Sequence, residues 1–259
     1  MEFSLLEKIF INQFGAINPP WISKYVFYKL PFNFCDRLCE RCKLSGICRV
    51  YQKEKEQEKR LIKQGIDPKS TKAMFLSITE SFEETKRLLE KDMKRLKLKI
   101  TEEDNKEYEK KEERKDRLVK NDHLTQISKK LSYSLVKLVE DLHYYFLEET
   151  PKQLKEPLKI LNYYMYFFYV KIQRALLSEI EEKEMKYEDT TFDSKNSAFL
   201  SYIAIVKIIH ALKIIYPFKA IHSALRAKAQ KLILLFEDLN LVLEERFNLA
   251  ELRLQVAKP

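Results

Sequence analysis

The chain predicts an all-α protein: a helical bundle of about five to six helices with an N-terminal four-cysteine metal-binding loop. Three observations carry this. Only 3 of 259 residues are glycine, where average usage would give roughly 18, and doubly wound and barrel folds need glycine at their tight turns. Lys, Glu, Leu and Ile dominate the composition, which is the palette of long helices. Apolar residues recur at helical spacing, and no stretch alternates with the period of two that a half-buried strand requires.

Taken in order, residues 4–14 form a short amphipathic segment that stops at Gly15. Residues 16–34 hold Pro19, Pro20, Pro31 and the single tryptophan, Trp21, and predict an irregular, aromatic-rich lead into the cysteines. Residues 49–64 are highly charged and predict an exposed helix ended by Gly65 and Asp67-Pro68. Ser70 or Thr71 can cap the next helix, whose apolar positions Phe75, Ile78, Phe82, Leu89 and Leu96 keep alternating three- and four-residue steps, with Thr85 and Asp92 filling two of them less well. Residues 101–122 contain only Tyr108, Leu118 and Val119 as large apolar groups. They predict a charged linker or solvent-projecting helix and the best candidate boundary.

Beyond it, Leu124, Ile127, Leu131, Leu135, Leu138, Leu142 and Tyr145 mark one helical face. A second helix over residues 153–186 carries Leu154, Leu158, Leu161, Met165, Phe168, Ile172 and Leu176 on its seam. The aromatic run Tyr163 to Tyr169 predicts that this is the central, most buried helix. Residues 188–196 are rich in turn formers, residues 197–216 form a strongly apolar helix broken by Pro217, and the last helix covers residues 219–247. The organisation expected is an N-terminal segment, 1–70, with the cysteine loop, and a helical bundle, 71–259, packed as one compact unit.

The net charge is +9, enough to raise nucleic acid or an acidic protein as partner. The sign is unevenly spread, with seven basic and no acidic side chains over residues 195–236. No basic start followed by an apolar core marks a secretory signal. No window reaches eighteen apolar residues without charge, the closest being residues 158–177, so no membrane span and a cytoplasmic, reducing location are expected.

All four cysteines, Cys35, Cys39, Cys42 and Cys48, fall inside fourteen residues spaced C-x3-C-x2-C-x5-C. Closely spaced thiolates converge at small loop-entropy cost, and under reducing conditions such clusters bind metal rather than form disulfides. Four cysteine ligands leave no open coordination position, which disfavours hydrolysis and favours a structural, electron-transferring or sensing centre. Arg37, Arg41, Lys43 and Arg49 lie among the ligands; they can offset thiolate charge or meet a nucleic acid or other anion.

The run Cys39-Glu-Arg-Cys42-Lys-Leu-Ser-Gly-Ile-Cys48 resembles the C-x2-C-x5-C part of the four-iron loop of helix-hairpin-helix DNA glycosylases. A similar run occurs in auxiliary-cluster domains of radical enzymes. The resemblance covers ten residues, and the first spacing here is x3 where the glycosylases have x6. What it implies is a 4Fe-4S cluster on these cysteines, with no activity attached. Iron–sulfur is therefore the preferred cofactor and zinc the alternative.

Other constellations rank lower. Glu140-x-x-His143 has the spacing of a di-iron bundle ligand pair, but occurs once and lies off the apolar seam. Lys207, His210 and Lys213, followed by Lys219, His222 and Arg226, could form a basic stripe; the reading preferred is the solvent edge of two apolar helices. His123 is read as a helix-start residue. The expectation is a non-catalytic, metal-binding helical protein with a binding or regulatory role on nucleic acid. The alternatives are an iron–sulfur redox protein or enzyme subunit, and a zinc-stapled helical scaffold.

Overall fold

The computed structural model describes residues 15–18, 22–99, 101–146, 149–184 and 193–249. It is all-helical, with eight α-helices and no named strand among the described residues. They are α1 (Lys24–Lys29), α2 (Arg49–Lys63), α3 (Thr71–Leu96), α4 (Glu102–Asn121), α5 (His123–Tyr145), α6 (Lys152–Glu184), α7 (Asp193–Ile215) and α8 (Ser223–Arg246). The helical segment expected over residues 4–14 lies outside the described residues, as does Trp21. The count exceeds the five to six expected because α1 is a separate short helix and the charged stretch after residue 100 is fully helical.

The chain forms two compact units, one comprising Met1–Leu38 with Arg114–Pro259 and the other Cys39–Glu113. Residue 70 lies inside the second, and the passage from Glu113 to Arg114 falls within α4.

In the first unit α5, α6, α7 and α8 make a four-membered ring in which each helix packs on its sequence neighbour and α8 closes back on α5. Leu131, Leu135, Leu138 and Leu142 of α5 are buried, as the helical spacing requires. Phe168 of α6 meets Phe236 of α8 edge to face at 5.3 Å, an arrangement the ring quadrupoles favour. The most buried helix is α7, not α6: it is apolar all round, whereas Tyr166 and Val170 of α6 are exposed. Residues 193–196 of the stretch expected to be a turn are helical, and Asp193 accepts hydrogen bonds from Arg174 and Ser178; residues 188–192 lie outside the described residues. Helix α7 is also long and apolar enough to cross a membrane, which the expected window at 158–177 missed. However, 78% of its most apolar stretch is buried inside the bundle, the environment of a core helix.

In the second unit α2 ends in a Schellman turn. Gly65 has φ 71, the left-handed region that glycine enters without a Cβ penalty, and the Ile66 amide reaches the Leu61 carbonyl at 2.9 Å. Ser70 caps α3, its Oγ accepting the Ala73 amide at 3.2 Å. The charged faces of α2 and α3 meet through Arg60–Glu80 (3.4 Å) and Lys53–Glu84 (3.5 Å).

Candidate functional site

The cysteine segment begins where the chain crosses the bundle. Ala16 and Cys35 form an isolated antiparallel bridge, and the Ile17 amide donates to the Phe34 carbonyl at 2.9 Å. Phe34 and Cys35 are buried, and the Cys35 thiol donates to the Phe32 carbonyl at 3.4 Å.

Next to Cys35 stands Asp36, the only acidic residue between Glu7 and Glu40. Its Oδ1 accepts the Gly15 amide at 2.8 Å and the Leu38 amide at 3.1 Å. Its Oδ2 accepts Lys207 Nζ at 3.0 Å and the Tyr164 hydroxyl. Lys207 Nζ also donates to Tyr164 Oη at 2.9 Å and lies 5.0 Å from that ring's centroid. The Tyr163 hydroxyl donates to the Asp36 carbonyl. The Asp36 and Lys207 side chains are 5% and 1% exposed. Burial pushes the Lys207 ammonium below its ordinary 10.5, against the charge and hydrogen bond of Asp36. With four donors on one carboxylate the cluster is saturated. It clamps the segment before the cysteine turn onto α6 and α7 and presents no unfilled valence to a substrate.

This cluster overturns the reading of Lys207 as a solvent-edge or stripe residue. Lys213 is also engaged, by Glu237 at 2.8 Å, and His222 caps α8 through Nδ1. Lys219 is exposed. Of the six residues of the stripe, Lys207 thus belongs to a buried clamp, Lys213 to an ion pair and His222 to a cap, while His210 and Arg226 are half-buried. Glu140 and His143 are exposed, and His143 is hydrogen-bonded to Asn162. His123 opens α5, whose cap is Asp122.

The other three cysteines follow in the second unit. Cys39 opens a three-residue 3-10 turn, Cys42 succeeds it, and Cys48 is the residue before α2. Successive tight turns carry the chain: the Cys42 amide donates to the Cys39 carbonyl at 3.2 Å, Ser45 to Cys42 at 3.3 Å, and Cys48 to Leu44 at 3.0 Å. The Leu44 amide points at Cys42 Sγ, 3.4 Å away. Cys39 and Cys42 are half-buried, Cys48 is buried, and none of the four cysteines is in a disulfide. Among the described residues no three His, Cys, Asp or Glu side chains are gathered to hold a metal ion. The turns between Cys39 and Cys48 satisfy backbone groups of their own.

Arg37, Arg41, Lys43 and Arg49 are all exposed. Half-buried Lys171 of α6 sits in electrostatic reach of Cys35, and burial lowers its ammonium below the ordinary 10.5. Sequence reasoning missed Asp36 and Lys207. The available signal was a lone lysine inside Ile205-Val206-Lys207-Ile208-Ile209, since a cation in an all-apolar helix needs a buried carboxylate. No known protein family, curated protein or solved structure matches this chain.

Proposed function

We propose that this chain is a non-catalytic, metal-binding helical protein in which Cys35, Cys39, Cys42 and Cys48 hold one metal centre. A 4Fe-4S cluster is preferred over zinc, and the role is binding or regulation, with nucleic acid as the favoured anionic partner. One observation carries the reading: four cysteines outside any disulfide lie within fourteen residues, with no other cysteine in the chain. Two features support it. The Leu44 amide points at Cys42 Sγ at 3.4 Å, and Lys171 lies in electrostatic reach of Cys35. The exposed Arg37, Arg41, Lys43 and Arg49 supply positive charge around a centre that would carry net negative charge.

The test is metal analysis with an absorption spectrum on protein purified without oxygen. A brown protein holding about four iron per chain supports the cluster. A colourless one with about one zinc supports the zinc alternative and removes the redox readings. A metal-free protein whose cysteine-to-serine variants are unchanged in stability defeats the proposal. Nucleic-acid binding that falls steeply with salt, and that charge reversal at Arg37, Arg41, Lys43 and Arg49 abolishes, would assign the partner.

A further inference from the structure

We propose that α3 is a self-association surface on which a second copy of this chain docks antiparallel. Of the 26 residues of α3 only Ala73 is buried. Phe75, Phe82 and Leu89 are 61%, 72% and 57% exposed, and Ile78 and Leu96 are exposed beside them. These are the residues whose helical spacing the sequence marks as an apolar face. On the opposite face Glu80 and Glu84 form exposed ion pairs with Arg60 and Lys53 of α2. An apolar stripe this long, on the side away from the α2 ion pairs, is the pattern of an interface.

The occupant follows from the spacing. Phe75, Ile78, Phe82, Leu89, Met93 and Leu96 are separated by steps of 3, 4, 7, 4 and 3 residues, which read the same in both directions. Two copies running antiparallel about the point between Thr85 and Lys86 therefore place Phe75 opposite Leu96, Ile78 opposite Met93 and Phe82 opposite Leu89. Charge agrees. Glu83 and Lys86 are exposed on the same flank of the stripe. In this pairing the second copy's Lys86 falls within about 3 Å along the axis of Glu83, two residues at 1.5 Å rise, and the symmetry makes the contact twice. Met93 is half-buried and Ile78 is 44% exposed, so if the six side chains lose most of their exposed area in each copy the pair buries roughly 1,000 Å², the least a specific interface needs.

The test uses the full chain in sedimentation equilibrium or light scattering, with circular dichroism as a folding control. The wild type is expected to be a dimer at tens of micromolar that weakens as salt is raised, because the Glu83–Lys86 contacts are screened. Phe82→Glu with Leu89→Glu should weaken association by about 100-fold with helicity unchanged, since both side chains are already exposed. Glu83→Lys and Lys86→Glu should each weaken it, and the two together should restore it, a pattern a parallel pair does not give. A wild type that stays monomeric at every concentration overturns the proposal, as does a dimer indifferent to the Phe82 and Leu89 substitutions. Failure of the charge swap to restore association overturns the antiparallel arrangement.

Discussion

Replacing Lys207 with methionine isolates the buried clamp. Methionine keeps nearly the volume of the lysine stem, so the loss is the ammonium itself. Removing one partner of a buried ion pair costs about 3–5 kcal/mol because the other charge is left in low dielectric. Asp36 keeps the Gly15 amide at 2.8 Å, the Leu38 amide at 3.1 Å and the Tyr164 hydroxyl. Three remaining donors place the cost of Lys207→Met near the low end, at about 3 kcal/mol. Asp36→Asn strands the ammonium and should cost a similar amount. The double variant strands neither charge, so its loss should fall short of the summed singles by about 2 kcal/mol or more. Guanidinium unfolding followed by near-ultraviolet circular dichroism reads this, since Tyr164 is buried beside the cluster. Additivity within about 0.5 kcal/mol would refute the clamp as a coupled unit. A single Lys207→Met loss below about 1 kcal/mol would show that the ammonium is not what compensates Asp36.

Three further outcomes follow from the helix ends and one ion pair. At the two ends of α3, Ser70→Ala should cost about 1 kcal/mol by removing the cap. Lys97→Gly should stabilise by about 0.5–1 kcal/mol, since Lys97 holds φ 53 where glycine pays no Cβ penalty; urea unfolding checks both signs. Glu179 binds Lys183 and Arg246, each at 2.9 Å. Burial alone would raise its carboxyl, but those hydrogen bonds and charges outweigh it and hold it below the ordinary 4.5. The unfolded chain therefore binds more protons than the folded one below pH 4.5, so this stability is present above that value and is lost as pH falls through the folded one. Arg246→Met should flatten the acid limb of a stability–pH curve, and an unchanged slope would contradict the assignment.

The parts legible in the sequence are those governed by one local rule. The α5 face was readable because Leu131 to Leu142 repeat with the turn of a helix, and the end of α2 because Gly65 is one of three glycines. Ser70 was readable as a cap for the same local reason. The depth of α7 was not, because an all-round apolar helix carries no moment to say what surrounds it, whereas the aromatic density of α6 suggested a centre. The clamp was illegible pairwise: Asp36 and Lys207 are 171 residues apart, and only the packed bundle brings them together. The cysteine spacing was legible as a motif. Its conformation was not, because the turns between Cys39 and Cys48 settle their own hydrogen bonds first.

That local settlement can be set against what a metal supplies. Three turn hydrogen bonds, from the amides of Cys42, Ser45 and Cys48, hold the backbone between Cys39 and Cys48. At about 1 kcal/mol net each, their loss costs roughly 3 kcal/mol. A structural zinc contributes about 10–16 kcal/mol to the peptides it folds, so the metal term exceeds the turn term several-fold. Those turns therefore do not argue against a shared centre on the proposed reading. Cys35 differs from the other three. It is flanked by Asp36, whose carboxylate is tied to two amides, a hydroxyl and an ammonium, and moving it means breaking charged bonds in the bundle core. Adjustment toward a metal would thus fall on the Cys39–Cys48 turns, while Cys35 keeps its place, and the clamp at Asp36 is what makes that division of labour energetically one-sided.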